Sequence, residues 1–216
     1  MTADVVVIGA GGHAKVCVEI LQSMGERVAF CVADGDSPLR WCVGVEVLLG
    51  DAYLAELAAS GYRRIFVALG ENLTRSRLAF EAVSLGFELV TAISPSAVIS
   101  PSAKIGKGVV IMPTAVVNAE ARIDDLCIVN TGATIDHDCV LGRGVHVAPQ
   151  CGLAGGVRVS DWAFLGAGTI VLPNISIGTE AVVGAGAVVV ANVPDGALCK
   201  GVPGRSTQKL DGDQPL

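Results

Sequence analysis

The sequence predicts a small α/β, Rossmann-like domain (residues 1–92) followed by a parallel β-helix of hexapeptide repeats (residues 93–216). Two observations carry this. Strand-like and helix-like stretches alternate up to about residue 92, which belongs to a parallel sheet covered by helices. From Ile93 that alternation gives way to a period of six. Composition agrees: 51% of the 216 residues are hydrophobic but only 4% aromatic, and there are 27 glycines without a collagen period. A core of Val, Ile, Leu and Ala with many tight turns fits those figures.

The elements follow in order. Val5-Val-Val-Ile8 reads as a short apolar strand, and Gly9-Ala-Gly-Gly-His-Ala14 turns into a helix running to about Met24. Val28 to Val32 is a second strand. Asp51 to Ser60 is a short helix with Asp51 as its N-cap. Arg64 to Leu69 is a third strand, Asn72 to Leu85 a helix ended by Gly86, and Phe87 to Ile93 a last strand. Thereafter every sixth residue from Ile93 to Val189 is Ile, Val or Leu, and every sixth from Ala97 to Val193 is small or apolar. Six residues make one short strand plus a turn, so three units close a triangular coil of 18. Each coil buries its edge on the next. No unit carries an insertion. Cys127, Cys139 and Cys151 occupy the small interior column and are read as core residues.

The columns expose what the core does not need. His137 and His146 lie outside both, and His137 sits in a polar cluster, Ile135-Asp-His-Asp138. Its bland reading is a solvated or subunit-contact histidine. One coil below it lies Ala119 and one above lies Gly155, leaving space around the imidazole for a substrate, with Gly155 on the cofactor side. A neighbouring carboxylate would raise the imidazole pKa and fix its tautomer, as a general base requires. Adjacent strand residues face opposite ways, so either Asp136 or Asp138 reaches the ring only if the turn bends back. A second column, Pro149, Ala167 and Ala185, is flanked by Gly166 with Gly184 and by Gly168 with Gly186. It is expected to be smooth, with exposed backbone N–H groups, a track for a slender pantetheine arm.

At the other end, Gly9-x-Gly11-x-x-Ala14 follows a strand and opens a helix, where backbone and helix N-terminus favour a phosphate. The acidic residue about 20 positions on is Asp34 or Asp36. About 90 residues are few for a dinucleotide domain, so a mononucleotide-diphosphate half-site is expected. His13, inside the loop, either touches ligand or simply starts the helix at the surface.

Bulk properties exclude other classes. A net charge of −6 without a basic run argues against nucleic acid. Apolar runs stay far below the roughly 20 residues of a membrane span. The N-terminus lacks a signal-peptide pattern, and seven cysteines without a CxxC pair suit a reduced, cytoplasmic protein. Zinc on such a coil needs three converging histidines. His137 and His146 are half a coil apart and His13 belongs to the other domain, so no metal is expected.

Four stretches then carry a resemblance: Gly9-Ala-Gly-Gly-His-Ala-Lys-Val16, Val67-Ala-Leu-Gly-Glu-Asn-Leu-Thr-Arg75, Val129-Asn-Thr-Gly-Ala-Thr-Ile-Asp-His-Asp-Cys139 and Gly201-Val-Pro-Gly204. The chain resembles the nucleotide-sugar acetyltransferases of the bacillosamine, perosamine and sialic acid O-acetyltransferase type, which are hexapeptide-repeat acyltransferases. The resemblance implies left-handed coiling, acetyl-CoA as co-substrate and a homotrimer with active sites between neighbouring β-helices. It implies His137 as the base for a sugar amine, with Asp138 raising its basicity. It implies His146 near acetyl-CoA and main-chain cofactor contacts at Ala167 and Ala185. Gly11, Gly12, His13 and Gly70 match the nucleotide-sugar site, which Asp34 joins. Relatives that bind a uridine nucleotide can show two successive Asp where this chain reads Ala33-Asp34, which leaves the base open. The implied reaction is N-acetylation of a nucleotide-linked 4-amino-4,6-dideoxy sugar. O-acetylation of the sialic acid type is the alternative, and a non-catalytic nucleotide-binding scaffold is a third reading.

Overall fold

The computed structural model describes residues 2–50 and 52–208. The chain forms two compact units, Met1–Pro95 and Ser96–Leu216. The expected capping role of Asp51 lies outside the described residues.

The first unit contains β1 (Thr2–Ile8), α1 (Gly12–Ser23), β2 (Val28–Ala33), β3 (Trp41–Cys42), β4 (Val45–Leu49), α2 (Ala52–Ala59), β5 (Tyr62–Val67), α3 (Asn72–Ser84) and β6 (Glu88–Leu89). The sheet order is β3-β4-β2-β1-β5-β6, parallel except for the β3–β4 hairpin. The order reverses on either side of β1, which opens a crevice beyond its C-terminal end. Val5, Val6 and Val7 are fully buried, as an unbroken aliphatic run in a two-faced parallel sheet requires. The sequence reading contained no hairpin. Its turn is Val43-Gly44, with φ of 48° and 77°, the type I′ geometry that matches strand twist. The last expected strand of this unit is broken into Glu88–Leu89 and Ala92–Ile93.

In the second unit, two-residue strands recur every six residues from Val98–Ile99 to Val188–Val189, except that Val193 contributes only a bridge to Ile177. They pair in parallel at a spacing of 18 residues, as in Val116↔Thr134, Arg122↔Val140 and Ile128↔His146. This is the predicted three-sided coil. From Val109 to Val193 both repeat columns are buried, apart from the half-buried Ile175. The three interior cysteines are free and buried. Each points its sulfur at a carbonyl of the next coil, Cys127 to Gly142, Cys139 to Ala154 and Cys151 to Gly166. Thr169, the polar member of the column, donates its hydroxyl to Gly166 O at 2.7 Å, so its burial leaves no unmet donor.

One turn residue per unit has a left-handed backbone. Glycine holds the position at 132, 144, 156 and 168, but Thr114, Leu126, Asp138, Gln150, Trp162 and Asn174 hold it too, at φ of 57–63°. The coil therefore imposes this turn whatever the residue. On one corner, aspartates stitch coils together. Asp125, Asp161 and Asp195 accept from the amides of Lys107, Arg143 and Thr179.

Candidate active site

The left-handed turn decides which aspartate meets the catalytic candidate. With Asp138 at φ 60° the chain bends back, and Asp138 Oδ2 lies 2.8 Å from His137 Nδ1. Asp136 turns the other way. Its Oδ1 accepts from the His137 backbone N–H at 2.8 Å and from Asn118 Nδ2 at 3.0 Å. Those two bonds hold the Asp136 carboxyl below its usual pKa. The imidazole is exposed and its pKa is raised above 6.5, first by the bond to Asp138 and then by the charge of Asp136. A carboxylate on Nδ1 places the ring proton there and leaves the lone pair on Nε2. Asn118 was absent from the sequence reading. The signal was present, because it lies one coil of 18 residues below Asp136.

The expected neighbours of His137 are in place. The Asp138 amide donates to Ala119 O at 3.0 Å, and the Gly156 amide donates to His137 O at 2.9 Å. A Cβ built on Gly155 would lie 2.6 Å from both Cε1 and Nε2 of His137. The ring thus lies against the bare glycine, a position no larger residue leaves open.

The column of Pro149, Ala167 and Ala185 was expected to be smooth, with exposed backbone N–H groups. The flanking amides of Gly166, Gly168, Gly184 and Gly186 are not among the open donors. All four are used within the coil, donating to Val183, Pro149, Cys199 and Ala167 oxygens at 2.8–2.9 Å. The N–H groups of Ala167 and Ala185 donate to no acceptor among the described residues. Both alanines are exposed, as is Pro149. The donors offered to a ligand are therefore the alanine amides, and the glycines supply bareness. His146 is outward in register yet buried, with Nε2 3.3 Å from Asn130 Nδ2 and its ring edge-on to Phe164 at 5.1 Å.

The first unit holds a cleft of about 340 Å³. Gly9, Gly11, Asp34, Ser37, Thr74 and Arg77 are among its lining residues. Of the five expected nucleotide residues, Gly11 and Asp34 line it, while Gly12, His13 and Gly70 do not. Gly12 begins α1. Gly70 is held from behind, its carbonyl accepting from Arg75 Nη1 at 3.1 Å. His13 is half-buried, and its pKa falls to about 4, first through burial and then through the Arg75 charge. It is a neutral packed ring rather than a surface one. Arg75, missed in the sequence reading, is 1% exposed and also donates to Leu69 O and Asn72 Oδ1. A Cβ on Gly9 would sit 2.7 Å from Ala68 O at a φ of 110°, so that glycine serves the fold. A Cβ on Gly11 meets nothing within 4 Å. Gly11 therefore faces open space that a ligand can fill.

Among the described residues, no group of three His, Cys, Asp or Glu side chains could hold a metal ion. No helix among them is long and apolar enough to cross a membrane.

Residues 4–82 match the PglD N-terminal domain family. Perosamine N-acetyltransferase (PerB) of Caulobacter crescentus, solved with CoA and GDP-perosamine, is 46% identical with a TM-score of 0.91. The match covers 96% of this chain and 98% of that one. The acetyltransferase domain of PglB from Neisseria gonorrhoeae, solved with acetyl coenzyme A, is 37% identical with a TM-score of 0.88, covering 96% of this chain and 100% of that one. UDP-N-acetylbacillosamine N-acetyltransferase of Bacillus subtilis is 37% identical over 112 residues. That match spans about half of each protein, 49% of either length. The architecture is accordingly a Rossmann-like unit followed by a left-handed β-helix.

Proposed function

We infer the reaction from one premise: this chain belongs to the nucleotide-sugar acetyltransferase family of the perosamine and bacillosamine type. It is an acyltransferase that moves acetyl from acetyl-CoA to the amino group of a nucleotide-linked sugar of the 4-amino-4,6-dideoxy class. The observation that carries the reading is the His137–Asp138 pair at 2.8 Å, exposed on a coil whose next layer is bare glycine.

Acetyl-CoA, when bound, supplies the thioester. Ala167 and Ala185 offer their free amides to its pantetheine arm, Gly155 gives the His137 ring room beside it, and His146 stands among the cofactor residues. His137 takes the amine proton at Nε2 as the C–N bond forms, and hands a proton to sulfur as the C–S bond breaks. Asp138 keeps the proton on Nδ1 and stabilises the imidazolium that develops. Residues 1–92 hold the nucleotide sugar through Gly11 and Asp34, with Gly12, His13 and Gly70 shaping the loops behind them. The working form is a homotrimer in the cytoplasm with its sites between neighbouring β-helices.

The test is thiol release from acetyl-CoA with guanosine-, uridine- and thymidine-linked 4-amino sugars, beside hydroxyl acceptors of the sialic acid type. Turnover with an amino sugar, lowered about 10²-fold or more by His137→Ala, is the expected result. Turnover confined to hydroxyl acceptors would turn the assignment to O-acetylation. Undiminished turnover in His137→Ala would remove the base.

A further inference from the structure

We propose that Arg77 is the phosphate-recognising cation of the N-terminal cleft. The inference deepens the nucleotide-sugar reading and rests on it. Thr74, Arg77 and Leu78 of α3 stand three and four residues apart, hence on one helix face. All three line the cleft, as do Gly9, Ala10 and Gly11. Leu78 is buried and anchors that face. Arg77 is the one Lys or Arg in the lining, and Asp34 is the one carboxylate. The cleft is therefore dipolar, suited to a ligand with an anionic group for Arg77 and a donor, such as a ribose hydroxyl or a base N–H, for Asp34.

Arg77 is also uncommitted. Its only side-chain partner among the described residues is Glu81, with Nη1 3.6 Å from Oε2 and both side chains well exposed, at 66% and 44%. That separation is an ion pair without a hydrogen bond, a kind that contributes little. The planar fork of five N–H donors can rotate from Glu81 onto two phosphate oxygens at small cost. Arg75, two residues earlier, is buried and donates to Leu69 and Gly70 carbonyls, so it builds the loop while Arg77 stays free for ligand. The start of α1 adds a second attraction. Gly11 offers no side-chain cap, and the first turn holds no acidic residue, so its amides face a ligand anion without internal competition.

The test is calorimetric titration of the full chain with GDP, UDP and dTDP, and with guanosine, uridine and thymidine. The variants are Arg77→Met, Arg77→Lys and Glu81→Gln. Arg77→Met should weaken the preferred diphosphate about 10- to 100-fold, as loss of a charge-assisted pair predicts, and leave the nucleoside within about twofold. Arg77→Lys should fall between, and Glu81→Gln should bind the diphosphate at least as tightly as wild type. Equal diphosphate affinity in Arg77→Met, or an equal loss of nucleoside and diphosphate, would overturn the role of Arg77. Wild-type protein that binds none of the three diphosphates would overturn the nucleotide reading itself, a result distinct from either.

Discussion

Gly155→Ala isolates the geometry of His137 from its chemistry. The new Cβ would fall 2.6 Å from Cε1 and Nε2 and 3.2 Å from Nδ1. Carbon contacts settle near 3.5 Å or beyond, so the ring must retreat by about 1 Å. Gly155 is outside the left-handed region, so alanine suits the backbone. The ring is exposed, with 61% of its surface free, and it can retreat without disturbing the buried columns. Stability should change by less than about 0.5 kcal/mol, as for other surface substitutions. Activity should change far more, because a displacement of about 1 Å at a reacting group costs on the order of 10²-fold. The retreat also strains the 2.8 Å contact with Asp138, so the acid limb of the pH–rate profile should move toward that of a free histidine. The assay pairs thermal melting by circular dichroism with steady-state thiol release across pH. An unchanged kcat in a normally folded variant would refute the packing argument. A melt lowered in step with kcat would show that Gly155 serves the coil and not the ring.

Two further outcomes follow from the same distances. Asp138→Asn removes the first cause of the raised His137 pKa. A base works only when unprotonated, so wild-type kcat/KM should climb with pH through a midpoint above 6.5, and in Asp138→Asn that midpoint should fall, with a lower plateau. A midpoint that stays or rises would refute the pairing. Gly9→Ala and Gly11→Ala should separate fold from ligand. The first meets Ala68 O at 2.7 Å in a left-handed backbone and should lower stability by about 1–3 kcal/mol or more. The second meets nothing in the protein and should weaken GDP or UDP binding while its melting curve stays close to wild type. The reverse ranking in melting experiments would contradict the assignment.

What the sequence revealed and what it hid divide along a physical line. The two hexapeptide columns were legible because burial in a coil is periodic, and the stack Ala119–His137–Gly155 followed from the 18-residue repeat alone. The partner of His137 was not legible. Its choice depends on a left-handed turn at residue 138, and that position accepts Thr, Leu, Gln and Trp elsewhere in the coil, so residue type carries no signal. The Val43-Gly44 hairpin was hidden for a related reason. A β-branched residue at positive φ stands where Asn or Asp usually announces such a turn. Which individual amides of the cofactor track stay free was not legible, because rung hydrogen bonds follow backbone geometry, and glycine advertises space without saying where its N–H goes. The lowered pKa of His13 comes first from burial and then from the charge of Arg75, 62 residues along the chain, and no local pattern records either.

The coil also explains why one corner differs from the next. At the corner of Asp125 and Asp161 the carboxylates bond the amides of Lys107 and Arg143 in the adjacent coil. They are spent on stacking, and at Gly142 a Cβ would strike Asp161 within contact distance. At the corner of His137 the stacking bonds around the ring are made by main chain, Asp138 to Ala119 and Gly156 to His137, beside one side-chain bond from Asn118 to Asp136. Asp136 caps the His137 amide from within its own turn, which leaves Asp138 without a structural duty. Its left-handed backbone is imposed by the repeat, so its carboxylate reaches Nδ1 with no strain peculiar to the site. A base made this way needs only three local choices on a generic coil: a histidine, an acidic residue after it and a glycine one coil above. Replacing Gly155 should therefore impair the base while leaving the scaffold intact. Replacing Gly142, which faces a structural carboxylate, should do the opposite.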